Sequence, residues 1–243
     1  MLSKKEIKDI QSLRYKKERD EAGLFLAEGP KVVNELLEIM PQQAIRIFTL
    51  ASWVNELPDK KALMHTIVTE IELGKLSGLQ TPNQVVAVFK QPSSLAPILS
   101  PNDFCLYLDA IQDPGNLGTI IRIADWFNIK NIVCTEGCAD VYQPKVIQSS
   151  MASIGRVSFW WDKEMEWLKK QSATIYAATL GGQSVYTIPK NKGGILLIGN
   201  ESKGLGKSYL KIAHQAITIP RLGAAESLNA AVATGIILSH LTN

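Results

Sequence analysis

Three short stretches each follow an apolar run and set glycine beside small polar or charged side chains: DPGNLGTIIRIAD (113–125), IGNESKGLGKS (198–208) and IPRLGAAESLNAAVA (219–233). Glycine lets a backbone come close to a flat ligand, and Asn116, Asn200 and Asn229 each offer both a donor and an acceptor. Arg122 adds a permanent cation suited to phosphate, and Glu201 adds a carboxylate. Two familiar nucleotide motifs fail here. The Gly115 and Gly118 spacing does not fit G-x-G-x-x-G and has no acidic partner about twenty residues on. In the second stretch Leu205 stands where a P-loop needs its lysine, and starting from Lys207 puts Glu201 where the first glycine belongs. The plainest local reading of Arg122 is an ion pair with Asp125, three residues on, and that of Ser227 is an N-cap.

The elements that position these residues are legible from hydrophobic periodicity. Apolar runs at 104–110, 131–136, 174–180, 194–200 and 216–220 predict strands. Helical patterns cover 118–127, 144–152 and 227–241. Continuously apolar strands alternating with helices predict an α/β fold, a mostly parallel sheet with helices on both faces. Ligands of such sheets sit beyond the carboxyl ends of the strands, where the three stretches lie. Before them, KQPSSLAPILSP (90–101) reads as a linker and divides the chain into residues 1–95 and 96–243. The first part reads as a small α/β domain, with strands at 44–50 and 84–90 and a helix opened by Pro30 and faced by Val32, Val33, Leu36, Leu37 and Met40.

Lys and Arg number 26 against 23 Asp and Glu, and the resulting net charge of +3 does not by itself mark a nucleic-acid binder. Residues 1–19 concentrate basic side chains, however: Lys4, Lys5, Lys8, Arg14, Lys16, Lys17 and Arg19 suit either a phosphate-contacting patch or a solvated helix face. No apolar run is long enough to cross a membrane and no signal peptide is recognisable, so a cytoplasmic protein is expected. Cys105, Cys134 and Cys138 have no close histidine. They are expected to be buried thiols, with no metal site and no disulfide frame.

The three stretches, in this order and at these separations, resemble the motifs of the SpoU (TrmH-type) RNA ribose 2'-O-methyltransferases over residues 104–241. SLRYKKERDEAGLFLAEGPKVVNELLE (12–38) is similar to the RNA-substrate-binding domain that many members carry first. The resemblance implies a deep trefoil knot of SPOUT type, bound S-adenosylmethionine, and a homodimer in which an arginine of one subunit completes the partner's site. It assigns the cofactor to Thr179, Leu180, Gly181, Gly199, Asn200, Glu201, Ile219, Pro220, Ser227 and Leu228. Asn116 and Arg122 would face the ribose and phosphate of RNA, while Glu201, Ser227 and Asn229 would order the site between cofactor and substrate. Ribosomal RNA is favoured over transfer RNA.

The chain departs from the family pattern at Arg221, where methionine is usual, at Ala230 and Ala231, and at Asn128 and Ala152, where glycine is usual. Asparagine can adopt the left-handed conformation expected at 128. A guanidinium rarely gives up its proton, so Arg122 is expected to bind the phosphate beside the target ribose and polarise its hydroxyl, with direct proton abstraction as the alternative. The alternatives are a catalytically silent RNA-binding protein of the same fold and, from the failed fingerprints only distantly, a nucleotide-dependent oxidoreductase.

Overall fold

The computed structural model of the chain describes residues 1–57, 65–190, 193–200 and 202–242. They form two compact units. One comprises Met1–Ser93 with Asp140–Gly155, the other Ser94–Ala139 with Arg156–Asn243.

The first unit runs α1 (Lys4–Ser12), α2 (Lys16–Ala22), β1 (Leu24–Glu28), α3 (Pro30–Ile39), β2 (Ala44–Thr49), β3 (His65–Ile67), α4 (Glu70–Leu76) and β4 (Val85–Lys90). Its sheet has the order β1-β4-β2-β3, antiparallel except for the β2–β3 pair. Pro30 opens α3 at its first turn, where a missing N–H costs nothing, and Val32, Val33, Leu36 and Leu37 are buried as their spacing predicts. Capping boxes at Ser3/Glu6 and Thr69/Glu72 start α1 and α4.

Helix α6 (Pro144–Ser150) also belongs to this unit, although the sequence places it after the linker. The reason is chemical. Asp140 pairs with the buried Arg19, Tyr142 stacks on Phe25 with ring centroids 5.2 Å apart, and the Gln148 side chain donates to the Glu28 carbonyl at 2.8 Å. Beyond α6, Ala152 adopts φ +68°, the left-handed conformation for which glycine is usual, and Asn128 does the same at φ +57°.

The second unit holds β5 (Phe104–Leu108), α5 (Pro114–Trp126), β6 (Asn131–Cys134), β7 (Ser158–Trp161), β8 (Ile175–Ser184), β9 (Gly194–Ile198), α7 (Lys207–Ile212), β10 (Gln215–Thr218) and α8 (Ala230–Leu241). Its sheet is parallel throughout, in the order β10-β8-β9-β5-β6-β7. β5 and β9 are buried at every position, which is why their sequences are apolar without alternation.

Three of the boundaries that differ from expectation bear on the site, each for a local reason. Helix α5 begins at Pro114, because Asp113 caps it by accepting from the Asn116 N–H at 2.8 Å. Gly115, Asn116 and Gly118 therefore lie in its first turns and not in a phosphate-cradling loop. Helix α8 begins at Ala230, capped by Asn229 and not by Ser227, since the Asn229 side chain accepts from the Ala231 and Val232 N–H groups. Strand β8 runs on through Thr179, Leu180 and Gly181, but its pairing with β10 jumps from Ala216↔Ala177 to Ile217↔Gln183. A Cβ on Gly182 would lie 2.5 Å from the Ile217 nitrogen, so only glycine allows the strands to converge again.

Candidate active site

At the carboxyl ends of β8, β9 and β10 lies a cavity of about 850 Å³. Its walls come from three consecutive strand ends: Ala178, Thr179, Leu180 and Gly181 from β8; Ile198, Gly199, Asn200 and Ser202 to Leu205 after β9; Ile217 to Gly223 and Ala225 to Leu228 around and after β10. Helix α8 closes it with Ala230, Ala233 and Ile237, a stripe at helical spacing. Of the residues assigned to a cofactor, Thr179, Leu180, Gly181, Gly199, Asn200, Ile219, Pro220, Ser227 and Leu228 all line this one space. Glu201 lies outside the described residues. The sequence reading missed Lys203, Glu226 and the α8 stripe, although the 230, 233, 237 spacing was there to find.

The loop after β9 is built from its own backbone. The Gly204 N–H donates to the Asn200 carbonyl at 2.7 Å, and the Asn200 side chain accepts from the Ser202 and Lys203 N–H groups. A Cβ on Gly199 would lie 2.4 Å from the Gly204 carbonyl carbon, so position 199 excludes any side chain. The remaining donor of Asn200 reaches the Ala110 carbonyl at 2.8 Å, tying this loop to the one after β5. Ala110 is itself left-handed, at φ +54°, a conformation costly for alanine and stored beside the cavity. Asp109, at the end of β5, accepts from Thr135 and Tyr209, yet its half-buried position raises its pKa. The same burial, with the Asp109 charge nearby, pushes the Tyr209 phenol up to about 12.

Two of the three asparagines singled out by the sequence meet. Asn229 Nδ2 donates to Asn116 Oδ1 at 2.7 Å, linking the first turn of α5 to the cap of α8. Lower down the same pair of helices, Gly235 of α8 packs near Ile123 of α5. Ser227 sits exposed in the cavity-lining loop.

Arg122 is exposed on the outward face of α5, in line with Thr119 and Trp126. Its expected local partners are occupied elsewhere. Asp125 pairs with Arg156 at 3.2 Å, and the Thr119 hydroxyl donates to the Gly115 carbonyl. Among the described residues nothing bonds the Arg122 guanidinium.

The basic N-terminus divides into three sets. Arg19 is corrected from RNA contact to core: it is 2% exposed, pairs with Asp140, and donates Nη1–H to the Leu13 carbonyl at 2.9 Å. Arg14 is likewise structural, its guanidinium donating to the Leu76 and Ser77 carbonyls at the end of α4. Lys16 and Lys17 make i,i+4 pairs with Asp20 and Glu21 on α2. Lys4, Lys5 and Lys8 remain exposed on α1. Cys105 and Cys134 are buried, but Cys138 is only partly so. A hydrogen bond with Cys134 lowers the pKa of its thiol. Among the described residues no cluster of His, Cys, Asp and Glu is arranged to hold a metal, and no helix is long and apolar enough to cross a membrane.

Comparison with known proteins places this geometry. Residues 4–87 match the MRM3-like substrate binding domain, and residues 103–239 match the SpoU rRNA Methylase family. The 23S rRNA (guanosine(2553)-2'-O)-methyltransferase RlmP of Bacillus subtilis is 31% identical, the match covering 97% of this chain and 95% of that protein. A TrmH-family protein from Porphyromonas gingivalis superposes with a TM-score of 0.88 at 34% identity, covering 99% of this chain and 98% of its own. The AdoMet-bound rRNA methyltransferase of Sinorhizobium meliloti gives 0.88 at 30% identity, covering 99% and 95%. With residues 103–239 matched by the family and its strand-end loops converging on one cavity, the chain belongs to the SpoU rRNA methylase family.

Proposed function

We propose that the protein is an S-adenosylmethionine-dependent methyltransferase acting on a ribose 2'-hydroxyl of structured RNA, with 23S ribosomal RNA, the substrate in the name of its B. subtilis relative, preferred over transfer RNA. The observation that carries this reading is the Asn229–Asn116 hydrogen bond. It joins the cap of a helix that lines the cavity to the first turn of the helix bearing Arg122.

The residues fit such a cofactor. The cavity has ligand size, and Ile198, Ile217, Ile219 and Ile237 offer apolar walls for a flat purine. The loop closed over Gly199 presents backbone groups that can hydrogen-bond it. When bound, the cofactor supplies a methyl group made electrophilic by its sulfonium. The chain's own part is alignment, because in-line transfer depends on how the 2'-oxygen is held. Arg122 holds the phosphate beside the target ribose and polarises the hydroxyl while keeping its own proton, so the hydroxyl proton passes to solvent water as the oxygen takes the methyl group. Asn116, held by Asn229, orients the ribose, while Ser227 belongs to the boundary between the two ligands.

Arg122 reaches the site of a second copy in this reading. A homodimer is supported by the apolar side chains exposed on α5, at the start of α8 and in the loop just before it: Trp126 at 84%, Val232 at 51% and Leu228 at 46%. The glycine-only approaches at Gly182 and Gly199 support the trefoil knot expected of SPOUT proteins, since they bring the β8 and β9 loops against later chain. Residues 1–95 supply RNA recognition through Lys4, Lys5, Lys8, Lys16 and Lys17, and residues 96–243 supply the chemistry. A ribosomal RNA substrate and the likeness to a Bacillus subtilis enzyme support a cytoplasmic location.

The test is methyl transfer from labelled S-adenosylmethionine to ribosomal RNA by the full chain, with the modified position mapped by 2'-O-methyl sequencing. Label on a ribose oxygen is expected. Label on a base would overturn the reaction assigned, and calorimetry showing no cofactor binding would favour a silent RNA-binding protein.

A further inference from the structure

Resting on this reading of the cavity, we infer that Arg221 is a specificity-determining residue that captures the carboxylate of the cofactor's amino-acid tail. The cofactor brings an anion into a space whose walls are mostly aliphatic and backbone, and a carboxylate taken out of water needs a cation or several N–H donors. Among the described lining residues the cations are Arg221 and Lys203, and the carboxylate is Glu226.

Arg221 is the better placed of the two cations. It follows Pro220 at the lip of the cavity, where the fixed φ of proline sets the direction of the chain. Among the described residues its guanidinium is held only by a long contact, Nη1 to the Ala225 carbonyl at 3.4 Å, one residue before Glu226. The side chain is exposed and pairs with no carboxylate among the described residues, so a ligand carboxylate has no protein anion to displace. A guanidinium also matches a carboxylate with two parallel N–H···O bonds, which a lysine ammonium does not. Glu226, beside Ala225, sets a negative charge near the same lip, where the ammonium of the amino-acid tail can meet it.

Two ligands separate this role from the others open to an exposed arginine. S-adenosylhomocysteine carries the amino-acid tail, and 5'-methylthioadenosine shares the adenosine and sulfur but lacks the carboxylate. Calorimetry on the full chain is expected to show Arg221→Met weakening S-adenosylhomocysteine by roughly tenfold or more, as loss of a charge-assisted pair implies. Methylthioadenosine affinity should stay within about twofold, which also reports an intact fold. Arg221→Lys should fall between. Equal losses for both ligands would assign Arg221 to packing, and no loss for either would assign it to RNA or to nothing, both overturning the inference. A wild-type chain that binds neither ligand would instead sink the reading of the cavity itself.

Discussion

Asn229 serves two neighbours with opposite ends of one amide: its Oδ1 accepts from the Ala231 N–H at 3.0 Å, and its Nδ2 donates to Asn116 Oδ1 at 2.7 Å. Helix capping and site assembly thus depend on the same side chain. Aspartate at 229 keeps the capping acceptor, and its charge favours a helix N-terminus, but it has no hydrogen to give Asn116. Asn229→Asp is therefore expected to melt within a degree or two of wild type while losing roughly tenfold in methyl transfer. Asn229→Ala should also lose about 1 kcal/mol of stability. Thermal melts beside single-turnover assays check this. Full activity in Asn229→Asp would show the contact with Asn116 to be idle.

For Arg122, the structure removes the local explanation by pairing Asp125 with Arg156. Arg122→Lys keeps charge but not the planar fork, so single-turnover methylation with saturating RNA should fall by about 100-fold or more, with cofactor affinity and melting temperature unchanged. A near-normal rate would end the guanidinium's assigned role.

The N-terminal basic residues should separate by salt dependence. Replacing Lys4, Lys5 and Lys8 together by alanine should flatten the log–log salt slope of RNA binding by about 2 to 3, as expected for that many lost phosphate contacts. Arg19→Met should instead destabilise the fold by about 3 to 5 kcal/mol, by leaving Asp140 without its partner. Filter binding at several salt concentrations and urea unfolding measure the two. A slope change in a still-folded Arg19 variant would return that residue to the RNA surface.

Acid should act on the first helix through Glu6. Hydrogen bonds from the Ser3 backbone, together with the Arg46 side chain, hold its carboxyl at about 2, against an ordinary value of 4.5. A depressed carboxylate stabilises the fold above its unfolded value, and that contribution is lost as pH falls from about 4.5 toward 2. Carboxyl NMR titration should place Glu6 well below glutamates that lie outside a capping box, and Glu6→Gln should blunt the acid-sensitive part of the stability curve. A Glu6 midpoint near 4.5 would contradict the capping geometry.

The backbone at Asn128, left-handed and exposed just past the end of α5, gives a last test. Asn128→Gly should be neutral or slightly stabilising, and Asn128→Val should cost about 1 to 2 kcal/mol. Equal melting temperatures would argue against this backbone conformation.

How much of this was legible beforehand depended on the range of each interaction. The parallel sheet could be read because β5 and β9 are apolar at every position, and the cavity because its glycines and asparagines sit at strand ends. The start of α5 was also readable in principle, since Asp113-Pro114 is a capping signal, but the glycines behind it drew attention toward a loop. The short strands β3 and β7 offer too few residues for a periodicity. Arg19 looked like its neighbours because its partner lies 121 residues further on, and no local pattern encodes such a pairing. The register jump between β8 and β10 was invisible for the same reason, as it follows from where Gly182 meets Ile217 in space.

That long-range pairing of Arg19 also bears on the order in which the protein is made. As the chain leaves the ribosome, its first 93 residues carry a guanidinium destined for burial whose carboxylate has not yet been synthesised, and α6, Tyr142 and Gln148 are missing with it. The first unit can finish only after β5, α5 and β6 of the second have already emerged. A fragment ending at Ser93 should therefore melt well below the same residues in the full chain, and the two units are better regarded as maturing together than as beads made one after the other.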